Sequence, residues 1–363
     1  MGSSGKIYTR SGEIKRLALY TEKYGKKVFA IIDEYFFNSF SEIIGKIYSD
    51  FGGEFMSFEY HTEITKNLID EAIKKAEDFC PNAIIGIGGG KAIDTAKSVA
   101  GALSLPLIII PTSASTDAPT SAMAVIYNDK HEHDDVYYFI KNPDLVLVDS
   151  EIIANSPVRF LIAGMGDALA TVFEGRTSIH TNSGNYICNE IDVFRNTRTA
   201  KAIAEECYRT LLENGKLAKM ANELHTVTEA LEAVIEANTL MSGIGFENVG
   251  CAASHCICNG ITAAPNGAEA LHGEKVAFGV ICQLIAENAP MSLIDEVIRF
   301  NISVGLPVCL KDMNIEETEE NFEIIAQEPQ NTEWTREPFP VTKKMVIDII
   351  KNANALGKSY KNI

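Results

Sequence analysis

The chain has 363 residues, 46% of them hydrophobic and 22% charged, with a formal net charge of −17. That length suffices for two domains with substantial cores. No apolar run reaches the ~18 residues of a membrane span, and the negative charge argues against nonspecific nucleic-acid or anionic-membrane binding. The start, Met1-Gly-Ser-Ser-Gly-Lys6, lacks the apolar core of a signal peptide, and residues 1–5 are set aside from the fold argument. With no secretion signal, the eight cysteines read as reduced thiols of a cytoplasmic protein rather than a disulfide framework.

Residues 6–20 form a mixed opening segment. Lys27–Asp33 reads as a strand ending in an acid, Phe36–Ser49 as a helix, Phe55–Glu59 as a short strand and Thr62–Cys80 as a helix with a charged outer face. Ala83–Ile87 is a short buried strand. Gly88, Gly89 and Gly90 follow it, and Lys91 opens an amphipathic helix. A strand, a glycine turn and a helix N-terminus form a cradle for an anion, because glycines admit the phosphate and free N–H groups point at it. The spacing matches neither G-x-G-x-x-G nor G-x-x-x-x-G-K-[ST], and a tight βα turn without a ligand is the alternative. Leu105–Ile110 is apolar on both faces, as in a parallel sheet. Pro111–Ser121 is a loop rich in hydroxyls, either a second source of ligand contacts or a polar surface loop. Met123–Tyr127 and Asp135–Phe139 suggest a hairpin around Asn128–His131, and Leu145–Asp149 is the last strand. This alternation predicts a doubly wound α/β domain, whose ligands sit at the carboxyl ends of strands, where Asp33, Gly88–Gly90 and Thr112 fall.

After about Pro157 helical periodicity takes over, clearest in Arg198–Glu213, Leu224–Leu240, Val249–Thr262, Gly273–Ala286 and Lys343–Ala355. The expected organisation is therefore an α/β domain over residues 1–157 and an all-α domain over 158–363. The acidic, proline-containing stretch 311–340 reads as a surface segment. Three polar groups interrupt the small and apolar residues of the helical half. Asp167 follows Gly164 and Gly166 and is placed at a helix start, where an N-capping role competes with a functional one. His255 sits in a nearly uncharged helix, where it is either a hydrogen-bonded core histidine or a ligand. Cys251 and Cys258 share its helical face, which leaves a Cys/His metal site open. His272 stands at another helix start and could be a cap or solvated. Together one Asp and two His offer three ligands and an open position, the arrangement of a catalytic zinc. His61, His131, His133, His180 and His225 lie in polar surroundings and read as solvated.

The sequence closely resembles the iron-containing alcohol dehydrogenase superfamily, and within it the glycerol dehydrogenases. The resemblance spans nearly the whole chain. It rests on Gly86–Lys97, Pro111–Ser121, Gly164-Met-Gly-Asp-Ala168, Gly245-Phe-Glu-Asn248 with the following helix, and His272-Gly-Glu-Lys-Val-Ala-Phe-Gly279, in that order. It implies an N-terminal nucleotide-binding domain and a C-terminal helical domain, with the active site between them, in a cytoplasmic homo-oligomer. Residue by residue, the metal ligands fall on Asp167, His255 and His272, and the pyrophosphate turn on Gly88, Gly89, Gly90 and Lys91. Nicotinamide-side and ribose contacts fall on Thr112, Ser115, Ser121, Met123 and Tyr127, the adenosine-ribose acid on Asp33, and the substrate-contacting aspartate on Asp117. Relatives carry a second histidine one turn after the metal-binding one, where this chain has Cys258; in zinc-dependent members that residue is not among the ligands. The implied activity is NAD-linked oxidation of glycerol or a related vicinal diol to dihydroxyacetone or its counterpart, with Zn²⁺ or Fe²⁺ at the metal site. Dehydroquinate-synthase-like chemistry or a glycerol phosphate substrate would need several basic residues in the cleft, and residues 245–280 offer only Lys275.

Overall fold

In a computed structural model the structure describes residues 1–61, 63–128, 133–187, 194–327 and 329–361, with only the backbone described at His133 and Asn331. Among the described residues there are eight strands: β1 (Ile7–Thr9), β2 (Lys27–Asp33), β3 (Glu54–Tyr60), β4 (Ala83–Gly88), β5 (Leu107–Pro111), β6 (Met123–Tyr127), β7 (His133–Tyr138) and β8 (Leu145–Val148). Six form one parallel sheet in the order β1-β8-β5-β4-β2-β3, and β6 and β7 pair as an antiparallel hairpin. The Asn128–His131 turn expected for the hairpin lies, beyond Asn128, outside the described residues. The opening segment supplies β1, which the sequence reading missed. Three residues carry no periodicity, and the strand exists through its pairing with β8.

Among the described residues the helices are α1 (Leu17–Thr21), α2 (Phe37–Asp50), α3 (Lys66–Phe79), α4 (Gly90–Leu103), α5 (Ser150–Ala154), α6 (Val158–His180) and α7 (Arg198–Glu223), followed by α8 (Glu229–Glu236), α9 (Ser242–Val249), α10 (Ala253–Ala263), α11 (His272–Ala286), α12 (Met291–Val304), α13 (Glu319–Ala326) and α14 (Lys343–Lys361). Strand side chains alternate between the two faces of the sheet. Val28, Ala30, Ile32, Ile85, Ile87, Ile108 and Ile110 pack with Leu17, Phe40, Ile44 and Tyr48 of α1 and α2. Phe29, Ile31, Ile84 and Ile109 face the other way and share a core with Ile93, Ala96 and Val99 of α4 and with the helical half. Coverage of both faces explains why these strands read as continuous apolar runs. The chain passes from β3, at one edge, back across β2 to β4, so the order reverses between β2 and β4. The carboxyl ends of those two strands, Asp33 and Gly88, therefore flank the topological switch point where open α/β sheets bind ligands. No helix among the described residues is long and apolar enough to cross a membrane.

Several expectations need correction. The helix expected from Thr62 starts at Lys66, with the Thr65 hydroxyl capping the Leu68 N–H at 3.2 Å; Thr62 itself is outside the described residues. The run Leu224–Leu240 becomes helical only at Glu229, where α8 begins, and it winds through a π-helical turn, Ala237–Met241, directly into α9. Val249–Thr262 is interrupted by Gly250 at φ 86°, so α10 begins only at Ala253. Stretch 311–340 is not simply surface: it contributes α13 and buries Phe322, Ile325, Trp334 and Glu337. Residues 1–5, set aside above, are tied down, since Gly2 exchanges two hydrogen bonds with the Asn248 side chain and the Ser4 hydroxyl donates to the Thr120 carbonyl.

The largest correction concerns Asp167, which lies in the middle of the 23-residue α6 rather than at a helix start. The two glycines that suggested a start are packing positions. A Cβ on Gly164 would sit 1.9 Å from the Ala114 carbonyl oxygen, and one on Gly166 would sit 2.2 Å from the Gly273 carbonyl oxygen. Their bare backbones let the hydroxyl-rich loop and α11 approach α6. Because the atom opposite Gly164 is backbone and cannot swing away, Gly164→Ala should destabilise the fold by about 1–3 kcal/mol or more in urea denaturation. An unchanged midpoint would show that the loop can retreat.

Candidate active site

α6 and α11 cross at the Gly166–Gly273 contact, which brings Asp167 beside His272, the first residue of α11. α10 lies across them and supplies His255. The His272 Nε2 is 3.2 Å and the His255 Nε2 3.6 Å from Asp167 Oδ1. Asp167 is 2% exposed, and neither of its carboxylate oxygens has a hydrogen-bond partner. A buried carboxylate left in that state is expensive unless something charged completes it. Three ligands on ~2.0–2.1 Å bonds in a tetrahedral site lie roughly 3.3 Å from one another. The observed separations fit that edge length, and the donor set fits a divalent cation of the zinc or iron kind. Without a cation, burial would push the Asp167 carboxyl up, but the imidazoles of His272 and His255 outweigh it and hold it below the usual range.

The ligand groups have their own supports. His255 donates from Nδ1 to Glu174 Oε2 at 2.7 Å, which keeps Nε2, the nitrogen turned to Asp167, as the one that would offer its lone pair to a bound cation. The other Glu174 oxygen accepts from the backbone N–H groups of Ala252 (2.8 Å) and His255 (3.0 Å), so Glu174 also caps α10. Cys251, Glu174 and His255 form a second cluster of possible ligands. The 2.7 Å between Nδ1 and the carboxylate is a hydrogen bond, shorter than the ligand edge worked out above, so this cluster reads as support rather than a second cation site. Cys258 lies against the other histidine, its sulfur 3.4 Å from His272 Nδ1. The seven cysteines among the described residues are free thiols.

The remaining predicted residues lie at the carboxyl ends of β2 and β4, in the first turn of α4, on the hydroxyl-rich loop after β5 and on β6. Gly88 has φ 149°, and a Cβ there would meet those of Asp33 and Ala92 at 2.8 Å; a bare glycine lets the ends of β2 and β4 meet. Beside Gly89 the space is open, and Gly90 is the first residue of α4. Lys91 is half-exposed and pairs with the buried Glu63 at 2.6 Å. Asp33 is half-buried, accepts from the Tyr35 N–H at 3.1 Å, and is raised above its ordinary value, chiefly by burial. Thr112 donates its N–H to the Gly88 carbonyl, fastening the hydroxyl-rich loop to the turn, and the Ser115 and Ser113 hydroxyls are 3.2 Å apart. Ser121 is buried beneath the loop, where its hydroxyl meets the Lys97 ammonium at 3.0 Å. Lys97 also donates to Asp94 and to the Met123 carbonyl. Tyr127 lies under the Lys91 ammonium, its hydroxyl pushed up to about 12 by burial. Asp117 accepts from the Ser242 hydroxyl at 3.0 Å, and its carboxyl is pushed up to about 7, first by burial and then by the charge of Asp167.

Glu174, Glu63, Lys97, Ser242 and Glu247 were not identified from the sequence. Glu174 stands seven residues after Asp167, two turns along the same face of α6, which is the one signal that could have found it. Glu247 accepts from the Ala122 N–H and from Asn142, joining α9 to the end of the hydroxyl-rich loop. Of the histidines read as solvated, His61, His180 and His225 are exposed, while the side chains of His131 and His133 are outside the described set.

The sequence profile of the iron-containing alcohol dehydrogenases matches residues 4–150. A glycerol dehydrogenase from Thermotoga maritima is 40% identical over 99% of this chain and 98% of its own. A glycolaldehyde reductase from Halobacterium salinarum is 36% identical over 95% and 94%. The crystal structure of a probable glycerol dehydrogenase from Sinorhizobium meliloti superposes with a TM-score of 0.92 at 38% identity, covering 99% of both chains. The identity runs through both the sheet and the helical half, so the relationship covers the whole chain. The chain belongs to the iron-containing alcohol dehydrogenase family.

Behind the ligand cluster lies Glu337, 6% exposed, with neither carboxylate oxygen hydrogen-bonded. Burial, reinforced by the charges of Glu287 and Glu174, pushes its carboxyl up to about 8 from 4.5. The folded state therefore holds a proton that the unfolded chain gives up. Its contribution to stability is fully present below about pH 4.5, declines above it, and is gone once pH passes about 8. Glu337→Gln should flatten that decline, leaving the variant about 1–3 kcal/mol more stable than the parent at pH 8 and little changed near pH 4.5. Parallel stability–pH curves for the two proteins would show that Glu337 ionises freely.

Proposed function

We propose that this chain oxidises a small neutral vicinal diol, glycerol, at its secondary carbon to dihydroxyacetone, with NAD as hydride acceptor and zinc held by Asp167, His255 and His272. The observation that carries the reading is the Asp167 carboxylate, buried with both oxygens unpartnered and faced by two imidazole nitrogens. The glycerol dehydrogenase names of full-length relatives at about 40% identity support the substrate class. In this reading residues 1–157 bind the nucleotide and lend Asp117 to the substrate, and 158–363 bind metal and substrate.

When bound, the metal supplies the positive charge that eases loss of the substrate's hydroxyl proton, and the nicotinamide takes the hydride. The chain's own residues do the rest. Glu174 keeps a proton on His255 Nδ1 and so presents Nε2 as a lone pair. Gly88, Gly89, Gly90 and the first turn of α4 cradle a pyrophosphate, with Lys91 adding charge. Asp33, at the end of β2, accepts hydrogen bonds from ribose hydroxyls and repels a 2′-phosphate. Thr112, Ser115 and Tyr127 line the nicotinamide side, while Ser121 and Met123 act from beneath through Lys97. Ser242 holds Asp117 by Oδ2 and leaves Oδ1 to receive a substrate hydroxyl. Of the basic groups near the cleft, Lys91 belongs to the pyrophosphate turn and Lys275 is bound to the Thr262 hydroxyl, and the Asp117 carboxylate disfavours anionic substrates.

The first test is NAD reduction by a panel of alcohols and diols with and without added Zn²⁺, with reduction of glycolaldehyde included because of the Halobacterium relative's name. Vicinal diols should lead, and a preference for a monoalcohol or glycerol phosphate would overturn the substrate class. Asp117→Ala should lower the specificity constant for glycerol about ten- to a hundredfold, and less for propane-1,2-diol, which lacks the third hydroxyl. An equal loss on both substrates would remove Asp117 from that role. Asp33→Ser should gain NADP use relative to NAD; equal use of the two cofactors by the parent protein would contradict the role given to Asp33.

A further inference from the structure

The two imidazoles facing Asp167 are supported unequally. His255 has the Glu174 carboxylate on Nδ1 at 2.7 Å. His272 has a sulfur there, with Cys258 Sγ 3.4 Å from its Nδ1 and 3.7 Å from its carbonyl oxygen. The two contacts are satisfied together when the thiol S–H points to the carbonyl and the sulfur lone pair accepts from Nδ1–H. With Nδ1 carrying the proton, Nε2 is the lone-pair nitrogen, and Nε2 is the atom 3.2 Å from Asp167 Oδ1. Cys258 is 1% exposed on α10, one helical turn after His255, so a single helix carries one ligand and touches the other. The His272 side chain is 43% exposed, and beside Cys258 its ring meets Asp167 and the His255 ring, whose centroid is 5.3 Å away.

We infer that Cys258 is a positioning residue for metal binding, holding the His272 ring and its tautomer through Nδ1 as Glu174 holds those of His255. The inference rests on the reading of Asp167, His255 and His272 as metal ligands. Sulfur is a weak acceptor compared with a carboxylate, so His272 is the more weakly supported arm of the site. Outer-sphere partners of ligand histidines typically contribute ten- to a hundredfold in metal affinity, and a thiol belongs at the lower end.

The test measures Zn²⁺ affinity of the full chain by competition with a chromophoric chelator, in the parent, Cys258→Ala, His272→Ala and the double variant. Cys258→Ala should weaken zinc binding about tenfold in the parent background, while the thermal midpoint of the metal-free protein stays close to the parent's. In the His272→Ala background the same change should leave the residual affinity unmoved, because the thiol acts only through that ring. Unchanged affinity in Cys258→Ala overturns the inference. So does an equal loss in both backgrounds, or a loss matched by a lowered metal-free midpoint, each of which makes Cys258 a packing residue. A parent protein that binds no zinc overturns the metal reading itself, and this inference with it; a parent that binds zinc with an indifferent Cys258 overturns only the inference.

Discussion

The close crossing of α6 and α11 is the constraint on which the rest of the site depends. A Cβ on Gly273 would lie 1.7 Å from the Ala163 carbonyl oxygen, and one on Gly166 would meet the Gly273 carbonyl at 2.2 Å. Backbone touches backbone, so Asp167 and His272, each adjacent to a contact glycine, have no room to separate. Because Asp167 is in mid-helix, its backbone groups are satisfied by the helix and its side chain has no capping duty. The carboxylate is therefore delivered unpartnered into a buried space, where its desolvation is tolerable only with positive charge at hand. Packing that reads as structural is here what creates the electrostatic demand.

Much of this was legible in the sequence, for physical reasons that can be named. The parallel strands read correctly because they are buried on both faces. The glycine turn read correctly because a strand, three glycines and a helix leave the backbone few alternatives. Asp167, His255 and His272 were noticed because a charged or polar residue among small apolar ones is conspicuous. The errors are equally specific. Gly164 and Gly166 signal a helix boundary by propensity, yet tertiary contact fills the space their missing side chains leave. The π-helical turn has no local signature, since Ala237–Met241 is an ordinary helical composition. Glu174 was passed over because a glutamate in a helix reads as solvated, and its partner is 81 residues away. Trp334 and Glu337 were lost among the acidic and proline residues around them.

The hydroxyl-rich loop gains its shape from the helical half. Asn238 donates to the Ala114 and Leu161 carbonyls, the Thr120 hydroxyl donates to the Thr239 carbonyl, and Ser242 and Glu247 hold Asp117 and Ala122. The loop leaves the sheet at β5, but its conformation is dictated by α9 and the turn before it. A loop of this composition would otherwise sample many conformations, so its order belongs to the interface rather than to its own residues.

Asn238, Thr239 and Ser242 all lie within or at the exit of the π-helical turn. Such a turn holds one residue more than an α-helix would in the same length. Deleting a single residue there would restore regular α-helical winding, and the helix beyond would keep nearly the same bearing because the wide turn absorbs the extra residue. The residues inside the turn would be redistributed around the axis, each offset by about 100° from its neighbour, and Asn238, Thr239 and Ser242 would lose the spacing that presents all three to the loop. The chain can thus vary its residues along this helix more readily than it can vary their number: the helix counts positions on behalf of a loop more than a hundred residues earlier in sequence.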